Sequence, residues 1–348
     1  GREVILFERA DIPHDKACGE GVMPSGVGAL ERLGVRVDGA IFEGVRYHVG
    51  AMHAPGRFPE SGCGLGVRRT ELSSALLNTA GGAPGVRIAA HTAVQAPLIE
   101  NGRVAGVVTD RGEFRARLVV GADGVQSILR HKLGWDIPIP ARRFGLRAHY
   151  RLAGRRQPEP WVDIFFGQGH EVYVTPLPHG EVLVALLVDG SPRTARLDEV
   201  IASQPALAGM LAGAVPSRDT LGVAPLCVQA RRRWAPGIVL LGDAAGNCDP
   251  ITGAGMSQGL LSAELLAGRL SRRFPPSEED LERFDAQRER MLADCRRLTA
   301  VLLSLARRPA LAPVVLRILE AWPALFSHLV GVAAGVRPLF PRPRSAAA

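Results

Sequence analysis

The sequence predicts a layered α/β fold carrying an inserted, mostly antiparallel sheet and a helical C-terminal segment. Three observations lead there. Short apolar runs alternate with helical stretches up to residue 142, four strand-like segments then follow one another with only turns between them, and beyond residue 276 the apolar positions recur with helical spacing. The chain has 348 residues, 47% of them hydrophobic, which suffices for a large core in two domains or in one domain with an elaboration.

The elements follow in order. Val4-Ile5-Leu6-Phe7 reads as a buried parallel strand closed by Glu8. A Gly-containing loop, 15–21, leads to an amphipathic helix with Val27, Leu30 and Leu33 on one face and Gly34 as its stop. Alternation over 40–57 predicts hairpin strands. Residues 70–80 read as helix, and 86–88, 104–109 and 118–121 as strands. Four strands are expected at 144–152, 161–166, 171–175 and 182–188, with turns at 167–169 and 178–180. A helix is expected over 197–211, a buried parallel strand at 237–241, and a further helix from Gly255 to about Arg269. Ser277 with Asp280 three residues on is a helix start. Leu311, Val314, Val315, Ile318, Leu319 and Trp322 fall on one helical face, expected to pack on the body or alternatively to touch a membrane. Residues 341–348 are expected to fray.

Composition narrows the function. The net charge is +8, and 40 of the 42 basic residues are arginine, Lys16 and Lys132 being the two lysines. The arginines are scattered and no stacking aromatics lie among them, so nucleic acid is not an expected partner. Cys18, Cys63, Cys227, Cys248 and Cys295 are far apart and odd in number, which supports neither a disulfide framework nor a metal site. A reduced cytoplasmic setting is expected. Residues 1–9 carry two Glu and two Arg around a four-residue apolar run, unlike a signal peptide. The most apolar tail stretch, 321–336, contains Pro323 and His328 and is too short for a membrane span.

Three separated motifs carry chemistry. Glu8 ends its strand where a dinucleotide-binding fold places an acid for a ribose diol; a surface glutamate at a strand end is the alternative. Val119-Val120-Gly121-Ala122-Asp123-Gly124, followed by Ser127 and Arg130, delivers an Asp in a sharp turn, either beside a ligand or as the cap of the next helix. Ile238-Val239-Leu240-Leu241-Gly242-Asp243-Ala244-Ala245-Gly246 continues to Asp249-Pro250-Ile251-Thr252-Gly253-Ala254-Gly255-Met256. Here a buried strand ends in a carboxylate able to hold a polyol. Pro250 halts the chain, and small residues open a helix whose free N–H groups suit a negatively charged oxygen such as the N1/C2=O edge of a reduced flavin.

The second and third motifs resemble the two flavin fingerprints of the para-hydroxybenzoate hydroxylase-like superfamily, which includes monooxygenases, geranylgeranyl reductases and flavin-dependent halogenases. Lys16-Ala17-Cys18-Gly19-Glu20-Gly21 and Met23-Pro24 resemble the reductase and halogenase-like branches. Gly66-Val67-Arg68-Arg69-Thr70-Glu71-Leu72 is similar to the superfamily's Arg-x-x-Leu helix start, with Arg69 as its arginine. The resemblance covers roughly residues 1–275. It implies a Rossmann-type FAD-binding domain (1–45, 64–142 and 225–275), a substrate domain (46–63 and 143–224) and C-terminal helices (276–340). It implies that Glu8 binds the adenosine ribose and that Asp123 lies near the pyrophosphate or aids nicotinamide docking. Gly242 and Asp243 would hold the ribityl chain or pyrophosphate, and Pro250 with Gly253, Ala254, Gly255 and Met256 would face the pyrimidine edge. Arg69 and the backbone at Val94 would seat the cofactor. The superfamily's first strand and GxGxxG turn are expected before Gly1, so the first βα unit, about 25–30 residues, is expected to be missing.

The resemblance implies FAD as cofactor, NAD(P)H as electron donor and an apolar small-molecule substrate; the cysteine spacing leads to no expected metal, weak peripheral membrane contact is the alternative for the 311–322 face, and the sequence does not set the oligomeric state. The leading expectation is a monooxygenase acting on a lipophilic molecule. The alternatives are a reductase of prenyl double bonds and a non-catalytic truncated remnant without FAD. A halogenase is disfavoured because a Trp-x-Trp-x-Ile-Pro signature is absent. Weaker candidates are Cys18, whose thiol Lys16 would lower, and Tyr47, His48, His149, Tyr150 and Tyr173 as substrate-orienting or wall residues. His170 and His179 are expected in turns.

Overall fold

Parallel pairing holds the α/β part together in the computed structural model, which describes residues 2–139, 143–190 and 196–340. Val4–Phe7 pairs in parallel with Val86–Ala89, and Val119–Gly121 with Ile238–Leu240. Ile238, Val239 and Leu240 are wholly buried, as an uninterrupted apolar run in a parallel strand requires. Helix α1 (Pro24–Arg32) stops before Gly34, which adopts φ +68. Helix α2 (Arg69–Gly81) follows the short strand Gly64–Gly66, and α3 (Ile128–Lys132) follows the Asp123 turn. The strands Val94–Glu100, Arg103–Thr109 and Gly112–Arg115 form a separate antiparallel meander.

The eight-stranded sheet is the main layer above this part. Its path runs from Val215–Pro216 through Arg143–Arg151, Glu181–Asp189, His170–Leu177, Val162–Phe166 and Gly44–Val49 to Met52–Arg57, with Leu221–Val223 branching from Arg143–Arg151. All pairings are antiparallel except Val162–Phe166 with Gly44–Val49. Strand Glu181–Asp189 is buried on both faces, which explains why its sequence is apolar without alternation. Phe165, Val172, Val184 and Leu186 meet α4 (Leu197–Ser203) and α5 (Pro205–Met210) on one face; Ile164, Tyr173, Leu183 and Leu187 look into the body on the other. The single helix expected over 197–211 is therefore two. Pro205 has no N–H to continue α4, so Gln204 ends one helix and caps the next.

Gly66 fixes how closely the small strand approaches the large sheet. A Cβ there would stand 1.8 Å from the Pro176 carbonyl oxygen, so no other residue permits this crossing.

Helices α6 (Gly255–Arg272), α7 (Glu278–Ala306), α8 (Ala312–Ala321) and α9 (Pro323–Ala333) close the molecule. The Ser277–Asp280 capping box is present in full. The apolar face expected over 311–322 divides. Leu319 is buried with Leu316, while Leu311, Val314, Ile318 and Trp322 face solvent, because α8 turns its Leu316–Leu319 side to the core. The expected frayed tail and the residue at which the pattern changes, Arg142, lie outside the described residues.

Candidate functional site

A cavity of about 1080 Å³ lies between the parallel strands, the large sheet and α6 to α9. Its polar end is built by the strand Ile238–Leu240, which delivers the 3₁₀ turn Gly242–Ala245. Two arginines clamp this turn by its carbonyls. Arg130 Nη1 donates to Ala244 O (3.1 Å), and Arg288 Nη2 from α7 donates to Gly246 O (3.1 Å). Both arginines are buried. With the backbone so held, the Asp243 side chain lines the cavity, and among the described residues its carboxylate accepts no hydrogen bond. Burial pushes its pKa up; Lys16, Arg69, Arg288 and Arg130 pull it back.

The next segment is shaped by Asp249. Its Oδ1 accepts from Ile251 N (3.1 Å), capping the turn Pro250–Thr252, and from Arg143 Nη1 (2.6 Å). Gly253 then adopts φ +67, a left-handed conformation that costs glycine nothing, and α6 starts at Gly255 with no side-chain cap and no acid in its first turn. Pro250, Gly253, Gly255 and Met256 line the cavity, while Ala254 is buried behind them. The loop 15–21 is pinned across from this helix start. Met23 N donates to Ser257 Oγ (3.1 Å), Thr175 Oγ1 donates to Gly19 O (2.9 Å), and Cys18 Sγ lies 3.7 Å from Met256 Sδ.

Two features make this end a candidate for a dinucleotide. Arg69, at the start of α2, lines the cavity with its Nε buried and unpartnered, and among the described residues neither Arg69 nor Lys16 forms an ion pair. Two unpaired cations in one cavity lining suit an anionic group such as a pyrophosphate. Gly19 and Gly255 line the same space, and a Cβ on either would meet no protein atom within 4 Å. The protein's own packing does not demand glycine there, and the bare backbone leaves room for a group to lie against it.

Three of the predicted cofactor residues, Glu8, Val94 and Asp123, sit outside the cavity lining. Glu8 is half-buried and accepts from Ala10 N (3.0 Å). The Asp123 carboxylate is exposed and accepts from Ile128 N (2.8 Å) and Leu129 N (3.3 Å) at the start of α3, whose N-cap is Ser127, its Oγ accepting from Arg130 N (3.1 Å). Val94, the first residue of the meander, joins the same apolar cluster as Phe7 and Phe114. Cys18 does not carry a lowered pKa: burial pushes the thiol up and outweighs Arg69 and Lys16. Tyr47 is a wall residue between Phe166 and Phe326, its pKa pushed up to about 12 by burial. His48 pairs with Asp163, and Tyr150 lies near Asp198. Tyr173 lines the cavity and donates to Ile251 O (3.0 Å).

Two buried polar networks escaped the sequence reading. In the first, Glu20 Oε1 accepts from Arg69 N (2.9 Å), Glu20 Oε2 meets His149 Nε2 (2.8 Å), Arg147 Nη1 meets His149 Nδ1 (2.8 Å), and Arg147 Nη2 donates to Asp15 Oδ1 (2.6 Å). Arg147 can only donate, so His149 Nδ1 accepts and Nε2 carries the hydrogen given to Glu20. In the second, Arg143 bridges Asp249 and Glu171, and Glu171 faces the cavity. Burial, reinforced by Asp249 and Asp189, pushes Glu171 up to about 7 despite Arg143. The signal was present as Arg143, Arg147 and His149 at even spacing on one strand, which places all three on one face.

The FAD binding domain family matches residues 45–297. The chain belongs to that family. It is an FAD-dependent oxidoreductase of the para-hydroxybenzoate hydroxylase-like superfamily, and FAD is its cofactor. It is similar to digeranylgeranylglycerophospholipid reductase 1 of Methanopyrus kandleri, 28% identical over 281 residues that make up 76% of this chain and 73% of the relative. It is also similar to the menaquinone reductase of Mycolicibacterium smegmatis, 28% identical over 295 residues, 77% of this chain and 70% of the relative. Among solved structures, a flavoprotein/dehydrogenase from Cytophaga hutchinsonii has a TM-score of 0.76 at 19% identity, covering 96% of this chain and 87% of its own. A myxobacterial chondrochloren halogenase has a TM-score of 0.74 at 22% identity, covering 85% and 75%. A probable FAD-dependent monooxygenase from Pseudomonas aeruginosa has a TM-score of 0.71 at 20% identity, covering 88% and 91%. These likenesses establish the shared fold, and a fold hosts several reactions.

Proposed function

We propose that the protein passes reducing equivalents from NAD(P)H through FAD to a double bond of a long, lipophilic prenyl-type substrate. The observation that carries this reading is the shape and lining of the cavity. From the polar end at Lys16, Arg69 and Asp243 it runs past Gly253–Met256 and continues between the sheet and the C-terminal helices. There its walls are Tyr47, Ile164, Leu187, Leu302, Leu316 and Phe326. One cavity thus joins a polar end suited to the cofactor with an apolar end suited to a chain that carries few polar groups. The relatives named as prenyl-lipid and menaquinone reductases favour the same substrate class.

FAD, when bound, supplies the hydride chemistry; the chain's residues supply place and surroundings. Asp243 and Gly242 would hold the ribityl chain or pyrophosphate, and Arg69 would neutralise the phosphates. The start of α6 with Pro250, Gly253 and Met256 would stand at the pyrimidine edge. Glu8 would hold the adenosine ribose, with Val94 behind it, and Asp123 would serve nicotinamide docking from its exposed turn. Ile164, Leu187 and Phe326 exclude water from the reacting carbon. A substrate of this kind partitions into bilayers, so weak peripheral membrane contact belongs to the proposal.

Mass spectrometry of the product decides between this and oxygen insertion. With NADPH and a geranylgeranyl lipid or menaquinone, turnover is expected without oxygen, and the product gains two hydrogens. Turnover that requires oxygen and adds an oxygen atom would replace the reductase by the monooxygenase that the sequence reading favours.

A further inference from the structure

Hydrophobic surface is left in water at the C-terminal end of the cavity. Leu311, Val314, Ile318 and Trp322 form one line along and just beyond the ends of α8, and all are exposed, Trp322 at 62%. Val301 on α7 and Phe340 after α9 are exposed too, Phe340 at 68%, and both line the cavity. The mouth of the cavity therefore opens through apolar surface. Exposed large apolar side chains grouped in this way, rather than scattered singly, are what an interaction site presents.

Charge identifies the partner. From Cys295 to Phe340 the one acidic residue is Glu320. Arg307, Arg308 and Arg317 are exposed and form no ion pair among the described residues; the nearby pairs belong to Arg296, Arg297 and Arg337. A second copy of the chain docking face to face would set these arginines against their own kind. An anionic bilayer offers acyl chains to the stripe and phosphates to the arginines at once. No single helix is long and apolar enough to cross a membrane; the pair Glu278–Ala306 and Pro309–Ala321 passes by length and composition but is bent by 98° at its break.

We infer that the face made by α8 and the end of α7 docks on an anionic lipid surface and opens the cavity mouth to it. The inference deepens the proposed function and rests on it for the purpose of the contact: the substrate passes from bilayer to cavity without crossing water.

Sedimentation with vesicles tests it. Vesicles of phosphatidylcholine with phosphatidylglycerol are expected to bind the protein at least about tenfold more tightly than phosphatidylcholine alone. Ile318→Glu with Trp322→Glu, both at exposed positions, is expected to abolish that difference while the bound flavin's visible spectrum is unchanged. Equal binding to both vesicle types, no binding to either, or binding unaffected by the double variant overturns the inference. So does a dimer in gel filtration that the double variant dissociates. A short, water-soluble prenyl alcohol keeps the two proposals apart. If it is reduced equally by both proteins while only the parent reduces vesicle-embedded substrate, both stand. If it is not reduced although vesicles bind, the reaction fails and the surface remains.

Discussion

Replacing Asp243 with asparagine is expected to weaken FAD binding by about ten- to a hundredfold, with the unfolding temperature of the cofactor-free protein within a few degrees of the parent. The separation follows from the geometry. Arg130 and Arg288 hold the turn through its backbone, not through this side chain, and the carboxylate accepts no hydrogen bond from the described residues. Folding gains no hydrogen bond from it, and the cost of burying its charge outweighs what the nearby cations return. A polyol or ribose hydroxyl, by contrast, would lose a charged acceptor. Because burial raises the Asp243 pKa, the parent's affinity is expected to fall on acidification at a higher pH than an ordinary aspartate would set, and the variant's is not. Quenching of flavin fluorescence in a titration at pH 8 and pH 5 checks both parts. Equal affinity of parent and variant removes Asp243 from the cofactor site.

Arg143→Met is expected to cost about 3–5 kcal/mol of stability at pH 8, and much less near pH 5. Arg143 faces Asp249 and Glu171 in the protein interior, so its loss leaves two buried carboxylates without a cation. The sign follows from Glu171. Its folded-state pKa, about 7, lies above the ordinary glutamate value of 4.5, so between these values the folded state holds the proton more often than the unfolded chain. This site's contribution to stability therefore falls as pH rises through that window. Removing Arg143 takes away the influence that lowers the Glu171 pKa, which deepens the fall, and protonation in acid relieves it. Urea unfolding at the two pH values measures the effect, and adding Glu171→Gln is expected to recover part of the loss at pH 8. A loss of equal size at both would mean that Arg143 acts through packing alone.

What the sequence showed and what it hid have physical causes. The strand Ile238–Leu240 and α6 were legible because a buried parallel strand must be apolar throughout and because Pro250 and Gly253 punctuate the chain between them. The Ser277–Asp280 box was legible because it is wholly local. Arg130 and Arg288 were not recognised as clamps, since arginine is by default a surface residue and their carbonyl partners on the 242–246 turn lie more than 40 residues away. Glu20 was hidden for a related reason. Its backbone sits at φ +54, which nothing in the residue type announces, and its partner His149 arrives from the inserted sheet. The stripe on α8 was read correctly as apolar, but helical spacing alone does not say which of two adjacent apolar lines meets the core. Leu316 and Leu319 do, and Ile318 and Trp322 do not.

The central claim is that the cavity bounded by Gly242, Asp243 and the start of α6 holds FAD, with the apolar remainder left for substrate. The visible spectrum of the purified protein, titrated with FAD after gel filtration, tests it most directly. The account predicts an oxidised-flavin band that saturates at one FAD per chain, and that Gly255→Asp, which brings a carboxylate into the cavity where no protein atom lies within 4 Å of its Cβ, abolishes. A folded protein that takes up no flavin, or a Gly255→Asp variant that binds FAD as tightly as the parent, would contradict it.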